Sequence, residues 1–316
     1  MLIFLIHGVG TRNADYAKNL IANIKSAMTI QGIELDFYSA FWGDLFNNKK
    51  NQTQRFIESD AEKALASHEN IFDFLKQDIY RYKDRRYEFI NDFLGDFLIY
   101  HNSERGKKIR QAIIRQFFDF IKDHLKDQEV HFIAHSLGSL ILWDLLFSKE
   151  CSIVDDHIII DFRREVQKLS LFSITTLGSP LLVLKQFLDM DFSWVNEFFS
   201  LNHKDVQDIY QPRWVNIIHS SDLIAYPLWS AIKDEINENI FFSDQYIWLD
   251  ANAAESRWRR FGQRDLAMVI AAKDAHSSYL YDNLDGKITG QIIAYNLTGK
   301  IEILSQKCIH SWDPTV

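Results

Sequence analysis

The chain predicts an α/β fold, a mostly parallel central sheet with helices on both faces. Three observations predict it. Short apolar runs at Leu2–Ile6, Val130–His135 and Leu169–Leu177 each end in a short turn, the pattern of strands buried on both faces. Stretches of helical periodicity separate these runs, as a sheet with crossover helices requires. Only 4 prolines and 12 glycines punctuate 316 residues, which suits long helices and few tight turns.

Taken in order, Leu2–Ile6 is a strand closed by His7-Gly8-Val9-Gly10. Residues 14–30 form a helix, with Leu20, Ile21, Ile24 and Met28 at helical spacing. Glu34–Trp42 is a second strand, Leu35 and Phe37 alternating against polar neighbours. From about 50 to 126 the pattern is helical throughout. Ile71, Phe74, Leu75 and Ile79 form one stripe, Phe89, Phe93 and Phe97 a second, and Ile113, Ile114, Phe117, Ile121 and Leu125 a third. Val130–His135 is a strand and Leu140–Phe147 a helix. Leu169–Leu177 is a strand ending in Gly178-Ser179-Pro180, and Trp214–His219 and Tyr246–Asp250 complete the sheet. No repeat and no shift in composition divides the chain. A single domain over residues 1–316 is expected, with a helical insertion at about 43–109 and lid segments at about 181–212 and 223–243.

Composition narrows the function. A chain that is 47% hydrophobic and 25% charged is globular, not disordered. Its net charge of −8 argues against a dedicated nucleic-acid binder. Two cysteines, Cys151 and Cys308, cannot build a disulfide framework or a four-cysteine zinc site. Asp155-Asp156-His157 with Asp161 has no second histidine at ligand spacing, so no metal is expected. There is neither a G-x-G-x-x-G nor a G-K-[ST] motif, and no cofactor is expected. The apolar run at Met1–Ile6 is too short for a signal sequence or a membrane span, and a cytoplasmic location is expected.

The chemistry concentrates in a few segments. Ala134-His135-Ser136-Leu137-Gly138 lies between an apolar strand and an apolar helix. A serine on so sharp a turn needs small residues two before and two after it, and the helix that follows aims its positive end at the hydroxyl. His7-Gly8-Val9-Gly10 is a glycine turn that lets backbone approach a substrate closely. Serine is a weak nucleophile until a base takes its proton, and the base needs an acid to orient it. Asp222, in Asp222-Leu223-Ile224-Ala225-Tyr226-Pro227, and His276, in Asp274-Ala275-His276-Ser277-Ser278-Tyr279, follow later in the chain. His219 is a rival base that lies within a strand. Ser179 is a structural serine, because the proline after it leaves no sharp strand-to-helix turn.

These segments resemble the α/β-hydrolase superfamily of the lipase and serine-esterase type, related in kind to GPI inositol-deacylase-like and class-3-like lipases. The first resembles the G-x-S-x-G nucleophile elbow, with Ala134 in place of a glycine. His7-Gly8-Val9-Gly10 resembles the HG-x-G oxyanion loop. The acid segment resembles D-x-[IV]-x-x-x-P with its proline one place early, and the last segment resembles H-x-x-Y. The resemblance covers residues 1–42, 110–180, 213–228 and 270–281. It implies Ser136 as nucleophile, His276 as base, Asp222 as acid, and the Val9 and Leu137 N–H groups as the oxyanion hole. The implied activity is hydrolysis of carboxylic esters, lipid esters among them, with peripheral membrane contact. An acyltransferase or thioesterase would use the same triad, and an idle hydrolase fold could serve as a binding module.

Overall fold

The computed structural model describes residues 1–29, 32–46, 95–124, 129–154, 157–202 and 211–305, with Arg55 and Ser59 singly. The expected helical stripes of residues 71–93, Leu125, the Asp155-Asp156 pair and Cys308 lie outside the described residues.

The strands are β1 (Leu2–Ile6), β2 (Asp36–Ala40), β3 (Val130–His135), β4 (Leu171–Leu177), β5 (Arg213–His219) and β6 (Phe241–Ile247). They form one all-parallel six-stranded sheet in the order β2-β1-β3-β4-β5-β6. Between them come α1 (Lys18–Met28), α2 (Gly95–His101), α3 (Ser103–Ile121), α4 (Gly138–Leu146), α5 (Lys149–Val154) and α6 (His157–Lys168). Then follow α7 (Leu181–Leu188), α8 (Ser193–Asn202), α9 (Trp229–Ile232), α10 (Ala253–Arg260), α11 (Arg264–Ser278) and α12 (Leu284–Thr298).

The period of two along each strand divides the core. Ile3, Leu5, Ile133, Leu177, Val215 and Ile217 face α1 and α12, meeting Leu20, Ile24, Ile288 and Ile292. Leu2, Phe4, Ile6, Phe132 and Ile174 face the other way, onto Ile113 and Phe117 of α3, Ile141 of α4 and Phe162 of α6. Burial on both faces is why these strands read as unbroken apolar runs.

From β1 the chain steps to β2 on one side and later to β3 on the other. The sheet order therefore reverses between β1 and β3. Such a reversal opens a crevice at the carboxyl ends of the two strands, where open α/β sheets hold their ligands. His7-Gly8-Val9-Gly10 leaves β1 at that crevice, and Ser136 leaves β3.

Three expectations change. The last strand spans Phe241–Ile247 and not Tyr246–Asp250. Its polar residues Ser243, Asp244 and Gln245 hid it, because Asp244 is internally satisfied: it accepts from the Leu228 and Trp229 N–H groups and from Asn216 Nδ2. Phe241 and Phe242 thus belong to the sheet and not to a lid. Of the lid expected at 181–212, the described part is the pair α7–α8, whose Phe192, Val195, Phe198 and Phe199 join the main core. Of the insertion expected at 43–109, residues 95–109 are integral, with Ile99, Tyr100 and Ile109 in the same core.

Candidate active site

Ser136 sits one residue past β3 with φ 56°, the left-handed region. For a residue with a side chain this costs about 1–3 kcal/mol, and it persists only where surroundings enforce it. Here the Ser136 N–H donates to Leu177 O at 2.9 Å and the Ser139 N–H to Ser136 O at 2.9 Å. The turn delivers the chain into α4, whose N-terminus faces the serine. Gly138 is required by β1: a Cβ there would lie 2.5 Å from Ile6 O and 2.9 Å from His7 O. The small residue is thus imposed by the backbone at the end of the neighbouring strand.

Gly8 closes on the same serine. A Cβ at position 8 would meet Ser136 Cβ at 2.4 Å and its Oγ at 2.9 Å. His7 fixes this turn from below. It is fully buried, its Nε2 accepts from the Trp42 N–H, and its ring stacks on the Trp42 indole at 4.9 Å. Asp96 of α2, also buried, accepts from the Gly10 N–H at 2.8 Å. Nothing in the local sequence marked Asp96 as a support for this loop. Between these anchors, the Val9 and Leu137 N–H groups donate to no acceptor among the described residues.

His276 comes from the last turn of α11, a helix where sequence reading left its setting open. Its Nε2 accepts from Ser136 Oγ–H at 2.9 Å, and its Nδ1–H donates to Asp222 Oδ2 at 2.9 Å. Asp222 stands in the turn after β5, its side chain fully buried. Oδ1 accepts from the Ile224 N–H at 3.0 Å, and Oδ2 also accepts from the Tyr279 hydroxyl at 3.0 Å. Burial pushes this carboxyl up, but the hydrogen bonds from His276, Ile224 and Tyr279 outweigh it. The net position is below the usual carboxylate range, so the group stays ionised.

Tyr279 closes the segment that begins at His276, and the segment alone does not disclose its role. It is fully buried, its oxygen accepts from the His219 N–H at 2.7 Å, and its proton goes to Asp222. One phenol therefore ties the end of β5 to the acid. Gly178 lies against the same group with φ 57°; a Cβ there would come within 3.0 Å of Asp222 Oδ2 and 3.2 Å of His276 Cε1. Ser179 Oγ accepts from the Leu181 N–H, a local turn contact. His219 is fully buried, and its Nδ1 accepts from the Ser221 N–H at 3.1 Å, so it is engaged away from Ser136. The structure thus brings Ser136, His276 and Asp222 together, with Val9 and Leu137 in the two turns beside the serine.

His135 braces His276 through the main chain: its Nε2–H donates to His276 O at 2.8 Å. Burial, with His276 close by, pushes His135 down to about 3. Burial does the same to His131, also to about 3. An unfolded histidine titrates near pH 6.5. Between these values the unfolded chain binds protons at both positions that the folded chain refuses, so stability is full above about 6.5 and falls as pH drops. Urea unfolding should show a loss on the order of 3–4 kcal/mol between about pH 7 and pH 5. A midpoint indifferent to pH in that window would mean that these two rings are not held neutral.

Among the described residues, no group of three or more His, Cys, Asp or Glu is arranged to hold a metal ion. Comparison of the chain with protein-family models, with curated proteins and with solved structures finds no match.

Proposed function

We propose that the protein is a serine hydrolase of the α/β-hydrolase superfamily that cleaves carboxylic esters through an acyl-enzyme. The observation that carries this reading is the continuous relay from Ser136 Oγ through His276 to Asp222, both hydrogen bonds at 2.9 Å.

In the first half-reaction Ser136 Oγ attacks the ester carbonyl while its proton passes to His276 Nε2. Asp222 holds the imidazole in the tautomer with Nδ1 protonated and stabilises the imidazolium that forms. The carbonyl oxygen gains the electron pair and is received by the Val9 and Leu137 N–H groups, with the N-terminus of α4 behind them. The tetrahedral adduct collapses, the C–O bond to the alcohol breaks, and His276 returns its proton to the leaving oxygen. Water then takes the alcohol's place. His276 removes a proton from it, the hydroxide adds to the acyl carbon, and Ser136 leaves with the proton as the carboxylic acid departs.

A fluorophosphonate probe tests this directly. The expected result is a single covalent adduct, phosphorus bonded to Ser136 Oγ with fluoride released, located by peptide mass spectrometry and absent from the Ser136→Ala protein. A folded chain that takes no label, or carries it on another residue, overturns the reading and leaves a binding module in its place.

A further inference from the structure

The α10–α11 hairpin carries a surface that the chemistry at Ser136 does not use. Its turn presents Phe261, 71% exposed, and the first half of α11 presents Leu266, Met268 and Val269, the last 65% exposed. Trp248, 58% exposed, stands beside them after β6. Several large exposed apolar groups gathered on one hairpin are the signature of an interaction surface. Four arginines, Arg257, Arg259, Arg260 and Arg264, are interleaved with them and all exposed. Arg259 pairs with Asp250, whereas Arg257, Arg260 and Arg264 make no ion pair with a described residue. Asp265 is the one acid between positions 257 and 269, in a chain whose net charge is −8. Arg260, Arg264 and Trp248 also line an open cavity of about 800 Å3 at the base of the hairpin.

We propose that this hairpin docks on an anionic phospholipid surface. Phe261, Leu266 and Val269 enter the boundary between headgroups and acyl chains, and Arg257, Arg260 and Arg264 meet the phosphates. Charge complementarity selects this occupant. A second copy brought to the same face by a two-fold axis would set arginines against arginines. No helix among the described residues is long and apolar enough to cross a membrane, so the contact is peripheral. Val269 lies on the His276 face of α11, about 10 Å before it along the helix. Glu255 of α10 accepts from Ser221 Oγ–H, next to Asp222, so the docked hairpin carries His276 and is tied to the turn that holds Asp222. Lipid esters as the substrate class follow from this docking only if the proposed hydrolysis holds.

The test uses the Ser136→Ala chain, which leaves the vesicles intact. It is sedimented with vesicles of phosphatidylcholine alone and of phosphatidylcholine with phosphatidylserine. Binding is expected with phosphatidylserine only, weakened by salt, and reduced at least about tenfold by Arg260→Gln/Arg264→Gln and by Phe261→Ser. Circular dichroism checks that these surface variants keep the fold. With Ser136 restored, they should hydrolyse a soluble short-chain ester as before. A chain that stays in the supernatant, variants that sediment unchanged, or a dimer in light scattering that Phe261→Ser dissociates overturns the proposal. A chain that sediments but takes no fluorophosphonate keeps the docking and loses the hydrolase; the converse loses only the docking.

Discussion

Replacing His276 by alanine is expected to lower kcat for ester hydrolysis on the order of 10⁶-fold, because a triad stripped of its base behaves almost as one stripped of everything. The fold should survive. The imidazole is partly exposed at the mouth of the site, and the brace from His135 is made to the backbone carbonyl of 276, which alanine keeps. Neither neighbouring histidine can substitute. His135 is held neutral with its Nε2 proton committed to that carbonyl, and the Nε2 of His7 is committed to Trp42. Steady-state kinetics on a soluble ester would measure the loss. A variant within tenfold of wild type would show that another group removes the Ser136 proton.

Asp222→Asn is expected to cost about 10⁴-fold in kcat with little change in KM. The carboxylate accepts on every side: from His276 Nδ1–H and Tyr279 on Oδ2, and from the Ile224 N–H on Oδ1. An amide has one accepting oxygen. If that oxygen faces His276, the NH₂ group opposes the Ile224 N–H. If it faces Ile224, the NH₂ group opposes Tyr279 and His276, which must turn to its other tautomer and point a proton at Ser136. In both arrangements the negative charge that steadies the imidazolium is gone. An asparagine variant with wild-type kcat would place the orienting acid elsewhere.

Much of the fold was readable where one residue type could report the environment. β1 and β3 fall where the apolar runs placed them, because strands covered on both faces are built mostly from apolar side chains. The same rule failed at β6, where Asp244 enters a strand by capping the start of α9, a contact formed with residues 228 and 229. For the site, the elbow and the glycine turn are local and were legible as motifs. Asp222 and His276 were legible through the segments around them and their order after Ser136; their meeting depends on the turn after β5 and on α11 converging with the turn after β3, across the intervening β4. Asp96 was invisible, since its hydrogen bond to Gly10 spans 86 residues and leaves no periodic trace. Tyr279 stood in a quoted segment, but its role depends on the end of β5, which its neighbours in sequence do not disclose.

In the proposed hydrolase the nucleophile comes from position 136 and the base from position 276, with the acid at 222 between them in the chain. On a ribosome, the serine therefore emerges long before the imidazole that activates it. Throughout that interval its hydroxyl is an ordinary alcohol, inert toward esters and toward acylating agents in the cell. Reactivity begins only when the C-terminal helices have been made and have settled against the sheet. Under the proposed function, the order of synthesis thus keeps the growing chain unreactive until the relay is assembled.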